Sequence, residues 1–70
     1  MMYLEYDWSF NCYRPRFGQT FIDWRGYRYF QSLADARYIL EQSGAKLGKK
    51  VASRTWKIEL INQDEACGYD

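Results

Sequence analysis

Histidine is absent from this chain of 70 residues, which removes the commonest general base, the Ser-His and Cys-His nucleophile pairs and the commonest zinc ligand together. Cysteine occurs only at Cys12 and Cys67, 55 positions apart and without a CxxC pair, so one chain cannot supply a four-ligand zinc site. The Met1-Met2 start is followed by Glu5 and Asp7 rather than by a basic and then apolar leader, so both thiols are expected to be reduced in a cytoplasmic setting. No run approaches about 18 consecutive apolar residues, and no membrane span is expected. Aliphatic side chains are scarce as well: Leu, Ile and Val together number ten, against 14 aromatics. A chain long enough for one small core must then fill it largely with rings, which leaves few of them for a ligand. These absences point away from an enzyme and from a bound cofactor or metal.

Charge is nearly balanced in sum and uneven in place. Between Tyr13 and Lys57 stand all ten basic residues against Asp23, Asp35 and Glu41, a net +7, while Glu5, Asp7, Glu59, Asp64, Glu65 and Asp70 at the two ends carry −6. A basic middle between acidic ends suits a polyanionic or acidic partner.

Tyr3 to Tyr13 alternates strictly, with Leu4, Tyr6, Trp8, Phe10 and Cys12 on one side, and predicts one half-buried strand. Arg14-Pro15-Arg16-Phe17-Gly18 then reads as a hairpin loop, and Thr20 to Ile22 as the start of an antiparallel partner. Asp23-Trp24-Arg25-Gly26 fits a type I turn with Trp24 at its tip and Tyr27 to Phe30 as a third strand; the alternative is one continuous strand bulged at Gly26. Ser32 as N-cap with Asp35 three residues on opens a helix over 33–43, which carries an apolar stripe of Leu33, Ala36, Ile39 and Leu40 and is closed by Gly44. Ala45 to Ser53 lacks a period and reads as a basic loop. Arg54 to Ile61 alternates again and predicts the last strand. The expected fold is α+β, a small antiparallel sheet of three to four strands covered on one face by a single helix, in the order β-β-β-α-β. It occupies residues 1–62, with an acidic, flexible tail over 63–70 that holds Cys67.

Gly44-Ala45-Lys46-Leu47-Gly48-Lys49-Lys50 fails as a nucleotide-phosphate loop. Three residues separate its glycines where four are needed, Lys50 replaces the hydroxyl, and the segment follows a helix. It remains either a solvated connection or a basic loop for phosphates or an acidic protein surface. Tyr13-Arg14-Pro15-Arg16-Phe17 and Trp24-Arg25-Gly26-Tyr27-Arg28-Tyr29 interleave guanidinium groups with rings. Nucleic-acid surfaces use this pairing, and so do cores whose rings carry solvated arginines. Glu5 and Asp7 share a strand face with Lys57 and read as a solvated charged face rather than an acid-base pair. Cys12 reads as a small buried hydrophobe.

Phe30-Gln31-Ser32-Leu33-Ala34-Asp35-Ala36 resembles the aromatic, capping hydroxyl, acid and alanine that open the helix of the ethylene-response-factor type DNA-binding domain. That fold sets three strands before a helix, and its sheet enters the major groove. The resemblance covers these seven residues and the element order, and implies a sheet that faces DNA; the strand expected after the helix departs from it. An RNA-recognition motif fits less well, since a second helix and its aromatic strands are missing.

The reading is a small non-enzymatic binding module. Its partner is nucleic acid, or a host protein or nucleoprotein complex that handles it, met through Arg14, Arg16, Trp24, Arg25, Arg28, Lys46, Lys49, Lys50 and Arg54. The rival is a protein-protein inhibitor or adaptor of the anti-CRISPR or anti-defence kind encoded by phage and mobile elements, which the chain resembles in size and economy. A homodimer paired along the Tyr3–Tyr13 edge is the third reading.

Overall fold

The alternation from Tyr3 to Cys12 does not run as one strand. Strand β1 (Met2–Asp7) stops where the Asp7 carboxylate accepts a hydrogen bond from the Ser9 amide at 2.9 Å, and Asn11 takes a left-handed φ of 52°. Residues 8–11 thus turn the chain, a job that Asp and Asn perform by bonding nearby backbone and tolerating positive φ. Strand β2 (Cys12–Phe17) returns antiparallel, with Tyr6 opposite Tyr13 and Leu4 opposite Pro15. The expected loop at Arg14–Gly18 is therefore mostly strand. Pro15 is accommodated because its carbonyl accepts from Ile22 N at 3.0 Å, so its nitrogen faces the outer side, where β3 (Thr20–Phe21) has already ended.

The Trp24 hairpin is one residue out of the expected register. Trp24 and Tyr27 exchange both backbone hydrogen bonds, at 2.8 and 2.9 Å, and Arg25 (φ 51°) and Gly26 (φ 89°) are both left-handed, as a two-residue type I′ turn needs. Trp24 therefore flanks the turn instead of sitting at its tip, and its ring is buried. Tyr27–Phe30 is not a third strand. It is pinned at Phe30, which exchanges backbone hydrogen bonds of 2.7 and 2.8 Å with Tyr13.

Helix α1 (Leu33–Gln42) forms as expected: Ser32 Oγ accepts from Asp35 N at 3.0 Å, and Gly44 leaves the helix with φ 85°. The basic segment after it is strand β4 (Ala45–Ala52), paired with β5 (Thr55–Leu60). Its period is hidden because the register shifts twice, between Leu47 and Lys50 and between Lys50 and Ala52. Gly48 lies at the first shift, where a Cβ would come within 2.8 Å of the Glu59 carboxylate and 3.1 Å of the Lys57 carbonyl.

The computed structural model describes residues 1–61 as an α+β fold, a five-stranded antiparallel sheet in the order β3-β2-β1-β5-β4 with one helix. The strand count exceeds the expected three to four, and two strands follow the helix where one was expected. The expected tail over 63–70 and Cys67 lie outside the described residues. On the covered face Leu4, Trp24, Phe30, Ala36, Leu40, Ala45 and Ile58 form the core. The helix packs against β4, and the segment that carries Trp24 and Phe30 supplies the rest of that core. Since β1 lies between β2 and β5, its edge is not free, and the homodimer route along Tyr3–Tyr13 is closed. The outer edge, β4, carries Lys46, Lys49 and the two register shifts, features that discourage strand addition. Among the described residues no helix is long and apolar enough to cross a membrane.

The expectation that rings would be consumed by the core fails. Among the described residues Trp24 and Phe30 are the only buried aromatics, with Tyr13 and Trp56 packed partly buried against the core, whereas Trp8, Phe10, Phe17, Phe21, Tyr27, Tyr29 and Tyr38 are exposed. Small and aliphatic residues at the sheet-helix junction, Ala36, Ala45, Leu4 and Leu40, let the layers close without them.

Candidate nucleic-acid interface

The basic residues named from sequence do not share one surface. Arg14 and Arg16 stand on the uncovered sheet face, two apart on β2, across from the carboxylates of β1. Arg14 binds Asp7 at 2.9 Å and lies over the Phe21 ring at 4.1 Å; Arg16 binds Glu5 at 2.6 Å, donates to the Gly18 carbonyl and lies over Tyr3 at 4.7 Å. Both guanidinium groups are largely covered, with side-chain exposures of 26% and 20%, and their charge is already matched. They serve this face as a cross-strand ionic ladder, and Glu5 and Asp7 pair with them rather than with Lys57.

The hydrogen bond from Arg14 holds the Asp7 carboxyl below the ordinary carboxylate range, against the opposing effect of burial. A group with a depressed native pKa contributes stability above its ordinary value. That contribution fades as pH falls through the ordinary value and is gone below the native one. Asp7→Asn is therefore expected to melt earlier than the parent at neutral pH and to converge with it in acid. Melting midpoints across an acid titration check this, and a gap that persists undiminished at low pH would contradict the ladder. Cys12, on the same face, is a buried free thiol pushed up by burial and by Asp7, which leaves it protonated and a weak nucleophile at neutral pH.

At the edge beyond β2, Arg28 and Arg14 both line an open cleft with Phe10, Cys12 and Tyr29. Arg28 is loosely paired with Asp23 at 3.6 Å, in full view of solvent. Arg25 projects from the hairpin over the Trp24 ring at 4.9 Å. Trp24 itself, 6% exposed, belongs to the core and is withdrawn from the candidate site. Lys46, on the opposite edge, pairs with Glu59 at 3.7 Å.

A second grouping forms at one end of the sheet, and only part of it was foreseen. The β1–β2 and β4–β5 turns meet there, tied by the bond from Tyr6 N to Arg54 O at 3.0 Å. Four rings make a continuous chain across β1, β2 and β5. Trp8 meets Tyr6 at 5.5 Å between centroids, Tyr6 meets Tyr13 at 5.1 Å, and Tyr13 meets Trp56 at 5.7 Å, all edge to face. Cations lie at both ends of the chain, with the Arg54 guanidinium 4.4 Å from the Trp8 centroid and Lys50 Nζ 5.3 Å from that of Trp56. Lys49 is exposed beside Lys50. Among the described residues none of Lys49, Lys50 and Arg54 has an ion-pair partner, because four of the six carboxylates in residues 1–61 are taken up by Arg14, Arg16, Arg28 and Lys46.

Of the nine residues named from sequence, this end brings Lys50 and Arg54 onto the rings, with Lys49 next to Lys50 in the chain. Sequence reasoning gave Trp8, Tyr6 and Trp56 inward places and met Tyr13 only in the ring–arginine run Tyr13–Phe17; Tyr13 and Trp56 do pack partly buried against the core, whereas Trp8 is exposed. The turn at Asp7–Asn11, with Asp, Ser and Asn closely spaced, was the signal that could have exposed Trp8. In comparisons with family models, curated proteins and solved structures, the chain has no significant match. The likeness at Phe30–Ala36 is accounted for locally by the Ser32 cap and the burial of Phe30 and Ala36.

Proposed function

We propose that this chain is a small non-enzymatic module that binds nucleic acid, or a complex that handles it, through the end of the sheet where the β1–β2 and β4–β5 turns meet. The observation that carries the reading is the pairing of unmatched cations with rings. Lys50 and Arg54 each lie over an indole, and Lys49 is the exposed chain neighbour of Lys50 on β4. Arginine and lysine neutralise phosphates, and nearby rings offer stacking surfaces. Arg25 and Arg28, exposed near the Trp24 hairpin, are the next candidates. Arg14, Arg16 and Lys46 are engaged by carboxylates and drop in rank.

Binding of this kind releases counterions and weakens as salt rises. Anisotropy of labelled DNA and RNA titrated with the protein at about 50 and about 200 mM salt is expected to show binding that falls markedly between the two. A flat salt response, or no binding at the lower salt, would remove the reading. The second reading, an inhibitor or adaptor acting on a host protein, is favoured by the exposed Trp8 and Phe10, since large exposed rings commonly anchor protein interfaces. A stoichiometric protein partner retained after nuclease treatment of a pulldown would support it over the first.

A further inference from the structure

We infer that the ligand of this end is single-stranded nucleic acid, its bases laid against Trp8 and the rings beside it and its phosphates met by Lys49, Lys50 and Arg54. The inference rests on the nucleic-acid reading above and narrows it from any phosphate backbone to an unpaired strand.

Trp8 is 68% exposed on a hairpin turn, a poor place for a large apolar ring unless something covers it. Arg54 occupies one side of the ring at 4.4 Å, which fixes the indole while its outer surface stays open. Behind Trp8 the edge-to-face chain through Tyr6 and Tyr13 to Trp56 braces the site, and the Tyr6 hydroxyl donates to Asn11 Oδ1 at 3.0 Å within the same turn. A ring so supported loses little side-chain freedom when a base stacks on it.

The site sets cations beside stacking surfaces, the two kinds of contact that a strand of bases and phosphates uses. Arg54 and Trp8 stand at one end, Lys50 and Trp56 at the other, so each indole has a cation at hand. Arg54 adds a second pointer. Its Nη1 is buried and has no hydrogen-bond partner among the described residues. A buried charged donor without an acceptor is costly, and a phosphate oxygen would supply one once the guanidinium turns outward to meet it. In a duplex the base faces are stacked on one another and hidden, so these rings would have nothing to stack on. An unpaired strand presents its faces to any aromatic platform.

The test compares labelled oligo(dT), oligo(U) and a duplex of equal length, using the whole chain. Oligo(dT) or oligo(U) is expected to bind at least about tenfold more tightly than the duplex at low salt. Affinity should fall roughly seven- to eighteenfold between about 50 and about 200 mM salt, as two to three phosphate contacts on a single strand imply. Trp8→Ala should weaken single-strand binding by roughly five- to a hundredfold with little change in that salt dependence, and Trp8→Phe should recover most of the loss. Tryptophan emission should be quenched on binding in the parent, and not in a Trp8→Phe/Trp56→Phe double variant, which keeps only the buried Trp24. Equal or tighter duplex binding, indifferent to Trp8→Ala, would overturn the single-strand inference and leave the nucleic-acid reading standing. No binding to any of the three at low salt would remove both. Thermal melting of each variant shows whether it is folded.

Discussion

Trp24→Ala is expected to destabilise the protein by about 3–5 kcal/mol, enough to unfold most molecules of a domain this small. The indole is 6% exposed and packs in one cluster with Leu4, Phe30, Ala36, Leu40, Ala45 and Ile58, and its removal opens a cavity that the layers cannot close. Its backbone also forms both hydrogen bonds of the Arg25–Gly26 turn. Trp8→Ala, at an exposed position, should shift stability by no more than about 0.5 kcal/mol. Chemical denaturation of the two variants separates the roles. A Trp24→Ala chain that is as stable as the parent but has lost ligand would return Trp24 to the interface.

Reversing charge at Lys49 and Lys50 together, by Lys49→Glu and Lys50→Glu, is expected to weaken nucleic-acid binding by roughly a hundredfold or more at low salt. Like charges set against phosphates cost several kcal/mol beyond the contacts removed. Both side chains are exposed on the outermost strand, so folding should be unaffected. Arg37→Glu is the control, since it too reverses a charge, on the exposed surface of the helix rather than on the β1–β2 or β4–β5 turns. It should change affinity only a few-fold. Comparable losses in the two variants, by anisotropy, would mean that net charge rather than this end of the sheet governs binding.

The helix was legible because its marks are local. Ser32, Asp35 and Gly44 act within a turn of where they stand, and the Leu33–Leu40 stripe repeats at the helical period. Strand β5 was legible for the same reason. Strand β4 was not, because its two register shifts break the alternation that identifies a strand and leave Lys49 and Lys50 in what reads as a loop. The Tyr3–Cys12 run misled in the opposite way. Alternation continues through Trp8–Asn11 even though Asp7 and Asn11 turn the backbone there, so Trp8 and Phe10 were placed in a core that excludes them. The candidate site suffered most. Its cations could be named individually, but whether a carboxylate sits beside each depends on strand register, and only pairing across β1 and β2 reveals that Arg14 and Arg16 are occupied while Lys50 and Arg54 are not. One slipped residue in β2 would turn Arg14 and Arg16 to the other face and away from those carboxylates.

The central place of β1 sets an order in time. Its first partner, β2, lies only a turn away, but Met2–Glu5 must wait for Thr55–Ile58, fifty or more residues further along the chain, before their other side is satisfied. During synthesis the early hairpin therefore emerges with its inner strand unpaired along one edge and Leu4 uncovered, and it stays so until β5 has been made. Contacts that span the chain are slow to close, and an open strand edge invites the wrong neighbour meanwhile. Loss of β5 would leave that edge permanently exposed, so a chain shortened before Thr55 should collect in aggregates rather than persist as a smaller folded protein.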